Sequence, residues 1–204
     1  ASKESTVSAG RTVSIESGKD TDIIGSQVKA EQVTANVAGN LHIESEQDSK
    51  EYHEEGKQIG ASLGYNVASH QLSGFGSAGK SKTDSHYASV TEQAGIQAGR
   101  DGFDLTVGKE TSLKGAVISS TAEKEKNQLT TGTLSWEDVE NKANYKEGGA
   151  GLTINTSKDA KYNEKSIIPA IPTGSKDTGS STTNSAIAEG TIVITDKAHQ
   201  KQDV

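Results

Sequence analysis

Apolar residues in this chain fall on alternate positions in short runs, and the runs return at a fixed step. Val13 and Ile15, Ile23 and Ile24, Val28, Val33, Val37, then Leu41 and Ile43 mark successive segments between residue 5 and about residue 49. Period-two alternation is the mark of a strand with one buried face. Val13 to Val33 and Ile23 to Ile43 are each a step of 20 residues, at the short end of solenoid repeat lengths. One phrase, Ala9-Gly10-Arg-Thr-Val13-Ser-Ile15, returns as Ala38-Gly39-Asn-Leu41-His-Ile43 and as Ala98-Gly99-Arg-Asp-Gly-Phe103-Asp-Leu105-Thr-Val107. A glycine turn feeding a strand, used again and again, predicts an all-β chain built as a parallel β-helix, a solenoid.

The copies are unevenly spaced, with 29 residues from Gly10 to Gly39 but 60 from Gly39 to Gly99. Residues 46 to 57 are polar and have no apolar period, which predicts a loop or the base of an excursion. Ile59, Ala61, Leu63, Tyr65 and Val67 then alternate with Gly60, Ser62, Gly64 and Asn66, so 56–92 is read as a projecting β-hairpin arm. The repeat resumes at Gly95. Ser112-Leu-Lys-Gly115-Ala-Val117 echoes Asp22-Ile-Ile-Gly25-Ser-Gln-Val28, with the glycine at a tight corner. Ser135-Trp-Glu-Asp138 has the form of a capping box, which predicts a short helix over 136–143. A second alternating run covers Gly149 to Ile154. Both prolines fall in Ile168-Pro169-Ala-Ile171-Pro172, and with the Gly, Ser and Thr of 173–185 they read as a linker. The expected division is a β-helix repeat domain over 1–163 with the arm at 56–92, a linker over 164–185, and a terminal strand or partial coil over 186–204.

Composition narrows the reading. Only 30% of residues are hydrophobic and 4% aromatic, where a compact globule carries nearly half apolar residues; a thin solenoid needs only a narrow aliphatic column. The formal charge of −7 gives no electrostatic footprint for nucleic acid and disfavours an anionic membrane surface. With no cysteine, neither a disulfide framework nor a thiolate metal site exists. No apolar run approaches a transmembrane helix. No signal peptide opens the chain, whose start at Ala1-Ser-Lys-Glu reads as an internal fragment.

Several residue patterns invite chemistry. Gly74-Phe-Gly-Ser-Ala-Gly79-Lys80-Ser81 fits the phosphate-loop pattern letter for letter, yet neither a buried strand before it nor a helix after it is predicted, so no nucleotide site is assigned. Gly99-Arg-Asp-Gly102-Phe-Asp104-Leu partly matches a calcium-binding nonapeptide, but it occurs once, and such sites need stacked copies. The histidines at 42, 53, 70, 86 and 199 form no pair at helical spacing, and His42 with Glu44 is expected on the outer face of a strand beside inward Leu41 and Ile43. Trp136 is read as a packing or capping residue. No Ser/His/Asp arrangement stands out. The sequence therefore assigns no catalytic, cofactor-binding or metal-binding residue.

With the repeats placed, the chain resembles the haemagglutinin-repeat region of large Gram-negative two-partner-secretion exoproteins, the filamentous haemagglutinins and contact-dependent growth inhibition effectors. The resemblance rests on Ala98-Gly-Arg-Asp-Gly-Phe-Asp-Leu-Thr-Val-Gly108, Leu113-Lys-Gly-Ala-Val-Ile-Ser-Ser-Thr121, Asn127-Gln-Leu-Thr-Thr-Gly-Thr-Leu134, Asp138-Val-Glu-Asn-Lys-Ala143 and Ala186-Ile-Ala-Glu-Gly190-Thr-Ile192. It implies a right-handed parallel β-helix rod, secreted to the cell surface through a dedicated outer-membrane pore partner. In growth-inhibition effectors such a block lies between the receptor-binding region and the toxin, and is associated with carrying the toxin through the target cell's outer membrane.

The expected function is thus a non-enzymatic rod and delivery segment of a secreted cell-surface exoprotein, without cofactor. Its expected partners are the secretion pore and the target-cell surface or outer membrane, and neither nucleic acid nor nucleotide. The alternating runs at 59–67 and 149–154 are candidates to pair with other chains or enter a membrane as strands, or else soluble hairpins packed on the rod. The alternatives are an adhesin module binding a host glycan or protein, and a carbohydrate-cleaving β-helix with carboxylates in a groove.

Overall fold

The structure, a computed structural model, describes residues 5–68, 71–157, 165–169 and 172–204. Its regular elements are strands, apart from a 3-10 turn at Lys124–Lys126. The chain forms two compact units, one of Ala1–Ser49, Ala88–Asn141 and Ser180–Val204, the other of Lys50–Tyr87 and Lys142–Gly179.

In chain order, the first repeat holds β1 (Ser5–Ser8), β2 (Thr12–Ser17) and β3 (Thr21–Ile24), and the second β4 (Ser26–Val37) and β5 (Leu41–Glu44). The insert strands β6 (Asp48–Asn66) and β7 (Gln71–Ser89) follow. The third repeat is one long strand, β8 (Gly95–Lys114), and the fourth is β9 (Val117–Ser120) with β10 (Asn127–Glu137). A second insert carries β11 (Val139–Ser157), β12 (Lys165–Pro169) and β13 (Thr173–Thr183), before the fifth repeat, β14 (Ala186–Ile187) and β15 (Thr191–Ile194).

Among the described residues the repeats of the first unit pair in parallel, and each strand lies on its equivalent in the next repeat, in three columns. The first column stacks β1, the start of β4, the start of β8, β9 and β14. The second stacks β2, the end of β4, the middle of β8, β10 and β15. The third stacks β3, β5, the end of β8 and the end of β10. Val13 pairs with Val33 and Ile23 with Ile43, so the step of 20 in the sequence is the register of the sheet.

This register sets like on like. Val28, Ile96, Ile118 and Ile187 follow one another through the first column. Ile15, Ala35, Leu105, Leu129 and Ile192 do so through the second, and Ile23, Ile43, Leu113 and Trp136 through the third. These ladders form the core, in which Val33, Leu41, Ile43, Ile96, Leu105, Ile118 and Leu129 are fully buried. One rung is polar: Thr111 lies beside Leu41, and its hydroxyl donates to Thr131 Oγ1 at 2.9 Å, which satisfies a group that burial would otherwise penalise.

Corners need special backbone. Gly25 and Gly115, the two glycines of the echoed phrase, adopt φ of 54° and 56°, the left-handed region that glycine enters without strain. At Gly115 there is no room either, since a Cβ would sit 2.7 Å from Val139 Cγ2.

The second unit is an antiparallel sheet in the order β12-β11-β7-β6, with β13 also on β11. Gly56, Gly60 and Gly64 of β6 face Ser81, Ser77 and Ser73 of β7, so the strands run in opposite directions with a turn near residue 68. Leu152 pairs with Pro169 and Ile154 with Ile167.

Of the two readings of 46–57, a loop or the base of an excursion, the structure has the second: it is strand from Asp48 onward, with charge pairs across to β7. Two expectations change. The helix expected at 136–143 is absent: β10 runs through Glu137 and β11 begins at Val139. Asp138 does cap a backbone N–H, but that of Ser185 at 2.8 Å, far along the chain. The linker expected over 164–185 contains β12 and β13; Ala170 and Ile171 lie outside the described residues.

Gly115→Ala is expected to destabilise the first unit by about 1–2 kcal/mol from the left-handed backbone alone, and by more from the Val139 contact. Gly10→Ala, where a Cβ meets nothing within 4 Å, is expected to be near neutral. Chemical denaturation of the two variants checks the contrast.

Candidate functional site

The second unit carries the most unusual surface. Facing pairs Gly60/Ser77 and Gly64/Ser73 place Ile59 opposite Ala78, Ala61 opposite Gly76 and Leu63 opposite Gly74 on the other face of the hairpin. Cross-strand packing normally covers aliphatic side chains in a sheet, but glycine and alanine offer little to pack against. Ile59 is accordingly 86% exposed, Leu63 83%, Val67 76% and Tyr65 58%. On β11, Leu152 and Ile154 are also exposed.

Nearer the start of β6 the same face turns charged. His53 Nδ1 hydrogen-bonds Asp84 Oδ1 across the pair, and His53 Nε2 lies 3.8 Å from Glu55. Lys80 reaches Glu55 at 3.9 Å, Lys82 reaches Asp84 at 3.4 Å, and His86 lies 3.6 Å from Glu51. The hydrogen bond from His53 holds the Asp84 carboxyl below its usual range; partial desolvation opposes this, and Lys82 adds to it. Tyr52 and Tyr145 hydrogen-bond Glu54 and Glu147, and those carboxylates push both phenols up. Beside this belt lies a cleft of about 650 Å³ lined by Tyr52, His53, Asp84, His86, Tyr145 and Lys176 among others.

The sequence patterns find plain structural places. Gly74 to Ser81 lies inside strand β7, so its amides serve a sheet rather than a helix N-terminus. In the calcium-like phrase, Lys126 Nζ donates to Arg100 O at 3.0 Å and pairs with Asp101 at 3.4 Å, while Gly102 takes φ of 75°. A lysine ammonium thus neutralises the loop. His42 bonds Ser112 Oγ at 2.8 Å and Glu44 at 3.1 Å. Lys114 first, then His42, lowers the Glu44 pKa. His199 bonds Asp196, and His70 lies outside the described residues. Among the described residues no three His, Asp or Glu side chains are arranged to hold a metal.

Sequence reasoning missed Asn141. It is buried in the first unit, accepting from Val90 N–H at 2.9 Å and Gln47 Nε2 at 3.1 Å, and donating to Ser181 Oγ at 3.3 Å and Thr183 Oγ1 at 2.9 Å. One amide therefore ties the four chain segments flanking the inserts.

A family model for the hemagglutinin repeat matches residues 1–61 and 53–152. The chain belongs to the haemagglutinin-repeat family. It is 41% identical over 210 residues to a protein named Toxin CdiA from Escherichia coli, covering 98% of this chain and 7% of that protein. It is 39% identical to a tRNA nuclease CdiA of Escherichia coli O6:K15:H31 and 36% identical to a Deoxyribonuclease CdiA of Dickeya dadantii, each over 98% of this chain and 6% of the relative. The chain thus spans a small fraction of the length of these relatives. No solved structure matches it. The family places it in the haemagglutinin-repeat region of two-partner-secretion and contact-dependent growth inhibition exoproteins, which are secreted to the cell surface. Among the described residues no helix is long and apolar enough to cross a membrane.

Asp84 has a lower pKa folded than unfolded. Its contribution to stability is therefore fully present above its ordinary value of 3.8 and is lost as pH falls through the lower folded value. Amides of β6 and β7 are expected to lose protection as the pH drops below that range, beyond the intrinsic pH effect on exchange. Asp84→Asn should flatten this dependence; an unchanged profile in that variant contradicts the assignment.

Proposed function

We propose that this segment is a non-enzymatic rod and delivery module of a contact-dependent growth inhibition exoprotein. The first unit is a right-handed parallel β-helix that emerges through an outer-membrane pore partner and folds repeat by repeat, since each repeat needs only its neighbour. The second unit helps the toxin cross the target cell's outer membrane.

The bare aliphatic face of β6 carries this reading. Ile59 to the end of β6 at Asn66 spans eight residues, with Val67 following in the turn, close to the roughly 9–11 in which a strand crosses a bilayer. Aliphatic and aromatic side chains on one face, with glycine and serine on the other, is the pattern of a strand between lipid and a polar lumen. Below it the face changes to Lys57, Glu55, His53 and Glu51, as at a membrane–water boundary. Burial of Ile59 or Leu63 is worth about 1.5–3 kcal/mol each.

The relatives support a role apart from catalysis. Their printed names give tRNA nuclease, deoxyribonuclease and 16S rRNA endonuclease activities, yet their identity to this chain is 36–40%. One shared segment does not determine three different nucleases.

A second reading, an adhesin module, is favoured by the cleft holding Tyr52 and Tyr145 beside His53 and Asp84, since exposed aromatics with carboxylates suit a glycan. Deletion of residues 57–79 in the full-length exoprotein separates the two. Delivery is expected to fail while attachment to target cells persists. Unchanged delivery removes β6 from the mechanism, and loss of attachment favours the adhesin.

A further inference from the structure

The overall charge of −7 hides a division. The first unit has 11 basic and 20 acidic residues, a formal −9, whereas the second has 10 and 8, a formal +2. The lysines of the second unit are also arranged. On the face that carries Ile59 and Leu63, the register of β6 and β7 sets Lys57 directly opposite Lys80, in the row next to Ile59 and Ala78. Farther across the sheet Gly149 faces Thr173 and Gly179 faces Ala143, so Lys146 of β11 lies opposite Lys176 of β13. Two glycines fix β11 against β7: a Cβ at Gly149 would lie 3.7 Å from Lys80 O, and one at Gly79 would lie 3.9 Å from Ala150 O. That sets Lys146 opposite Asp84, in the row of His53, and both lysine pairs occupy one face.

Like charges directly opposite each other weaken a sheet. Here two such pairs stand where the acids of the sheet are already engaged. Asp84 takes His53 and Lys82, and Glu55 takes Lys80 at 3.9 Å. Among the described residues Lys57, Lys146 and Lys176 form no ion pair, and all three are exposed. The cleft of about 650 Å³ beside the His53 row is lined by Lys146 and Lys176 as well, with room for phosphate groups. Two repelling pairs on one face, left open, ask for an anion.

We infer that Lys57, Lys80, Lys146 and Lys176 form a headgroup site that binds the phosphates of an anionic lipid surface, while Ile59, Leu63 and Leu152 of the same face meet its hydrocarbon. This deepens the delivery reading above and rests on it. A lipid is the occupant that fits, because its anionic and apolar parts are contiguous, as the lysine and aliphatic rows are here. An acidic peptide or a nucleic acid would answer the lysines and leave Ile59 and Leu63 bare. Lysine suits such a boundary, since its aliphatic stem lies along apolar surface while the ammonium reaches the headgroups. Lys57 and Lys80 stand at the aliphatic edge. Lys146 and Lys176 lie four residues farther along the strands, toward the water, where the potential of an anionic leaflet decays over about 8–10 Å.

Flotation of the 204-residue chain with vesicles of phosphatidylcholine, and with vesicles of equal parts phosphatidylcholine and phosphatidylglycerol, tests this. The unaltered chain is expected to prefer the mixed vesicles. Lys57→Gln/Lys80→Gln/Lys146→Gln/Lys176→Gln is expected to weaken that binding at least about 25-fold, from about fivefold for each of the two lysines at the aliphatic edge, and to bring the two compositions level. Lys19→Gln/Lys109→Gln/Lys124→Gln/Lys197→Gln removes the same charge from the first unit and should keep the preference; loss of the preference there too overturns the site. Because the first variant relieves two like-charge pairs, it should melt no lower than the unaltered chain. If it does not fold, the unaltered chain at about 0.5 M salt is read in its place, where the preference should vanish; a preference that persists there overturns the site. Equal binding to both compositions, abolished by Ile59→Ser/Leu63→Ser, overturns the lysine site and keeps the aliphatic face in the membrane. A preference that survives Ile59→Ser/Leu63→Ser undiminished supports the lysine site and removes the aliphatic face from the membrane. Binding to polyglutamate and to neither vesicle, lost in the first variant, overturns lipid as the occupant.

Discussion

Parallel register is the constraint on which the first unit depends. Each strand must meet its equivalent in the next repeat so that Ile15, Ala35, Leu105, Leu129 and Ile192 stay in line. A shift of one residue would turn that ladder outward. An insert is tolerated only where the chain comes back to the same corner in the same phase. Both inserts meet this condition: Leu41 pairs with Thr111 across the first, and Ile118 with Ile187 across the second. Asn141 shows how the return is secured, since its one side chain reaches Gln47, Val90, Ser181 and Thr183.

That economy explains how so polar a chain keeps a core. A column one residue wide per strand buries Val, Ile, Leu and Ala on three sides and leaves the alternate positions to Ser, Thr, Asp and Lys. The second unit reverses the pattern. Its edge strand sets Ile59 and Leu63 against glycine and alanine, so the largest aliphatic side chains there lie open. A ladder built from repeats gives stability, and a sheet that fails to cover its own side chains gives a surface suited to another environment.

Much of this was legible in the chain. The 20-residue step between Val13 and Val33 gave the actual pairing, and the echoed glycines Gly25 and Gly115 proved to be left-handed corners. Alternation marked Ile59 to Tyr65 as strand, while Val67, the last apolar residue of the run, lies in the turn after β6. What misled were residues whose partners are distant. Asp138 reads locally as a helix cap but bonds Ser185. Thr173–Thr183 reads as a linker because none of its residues is large and apolar, yet it pairs along β11. Lys146 and Lys176 carry no local signal, because they become neighbours only across β11 and β13.

The most direct test of the account is the environment of Leu63 during contact with target cells. Leu63→Cys and Asp104→Cys, each carrying an environment-sensitive fluorophore in the full-length exoprotein, report from the second unit and from the outer face of the repeats. The expected result is a blue shift at position 63, with position 104 unchanged, once producer and target cells are mixed. Emission at position 63 that stays that of an aqueous site while toxin is delivered would contradict the account.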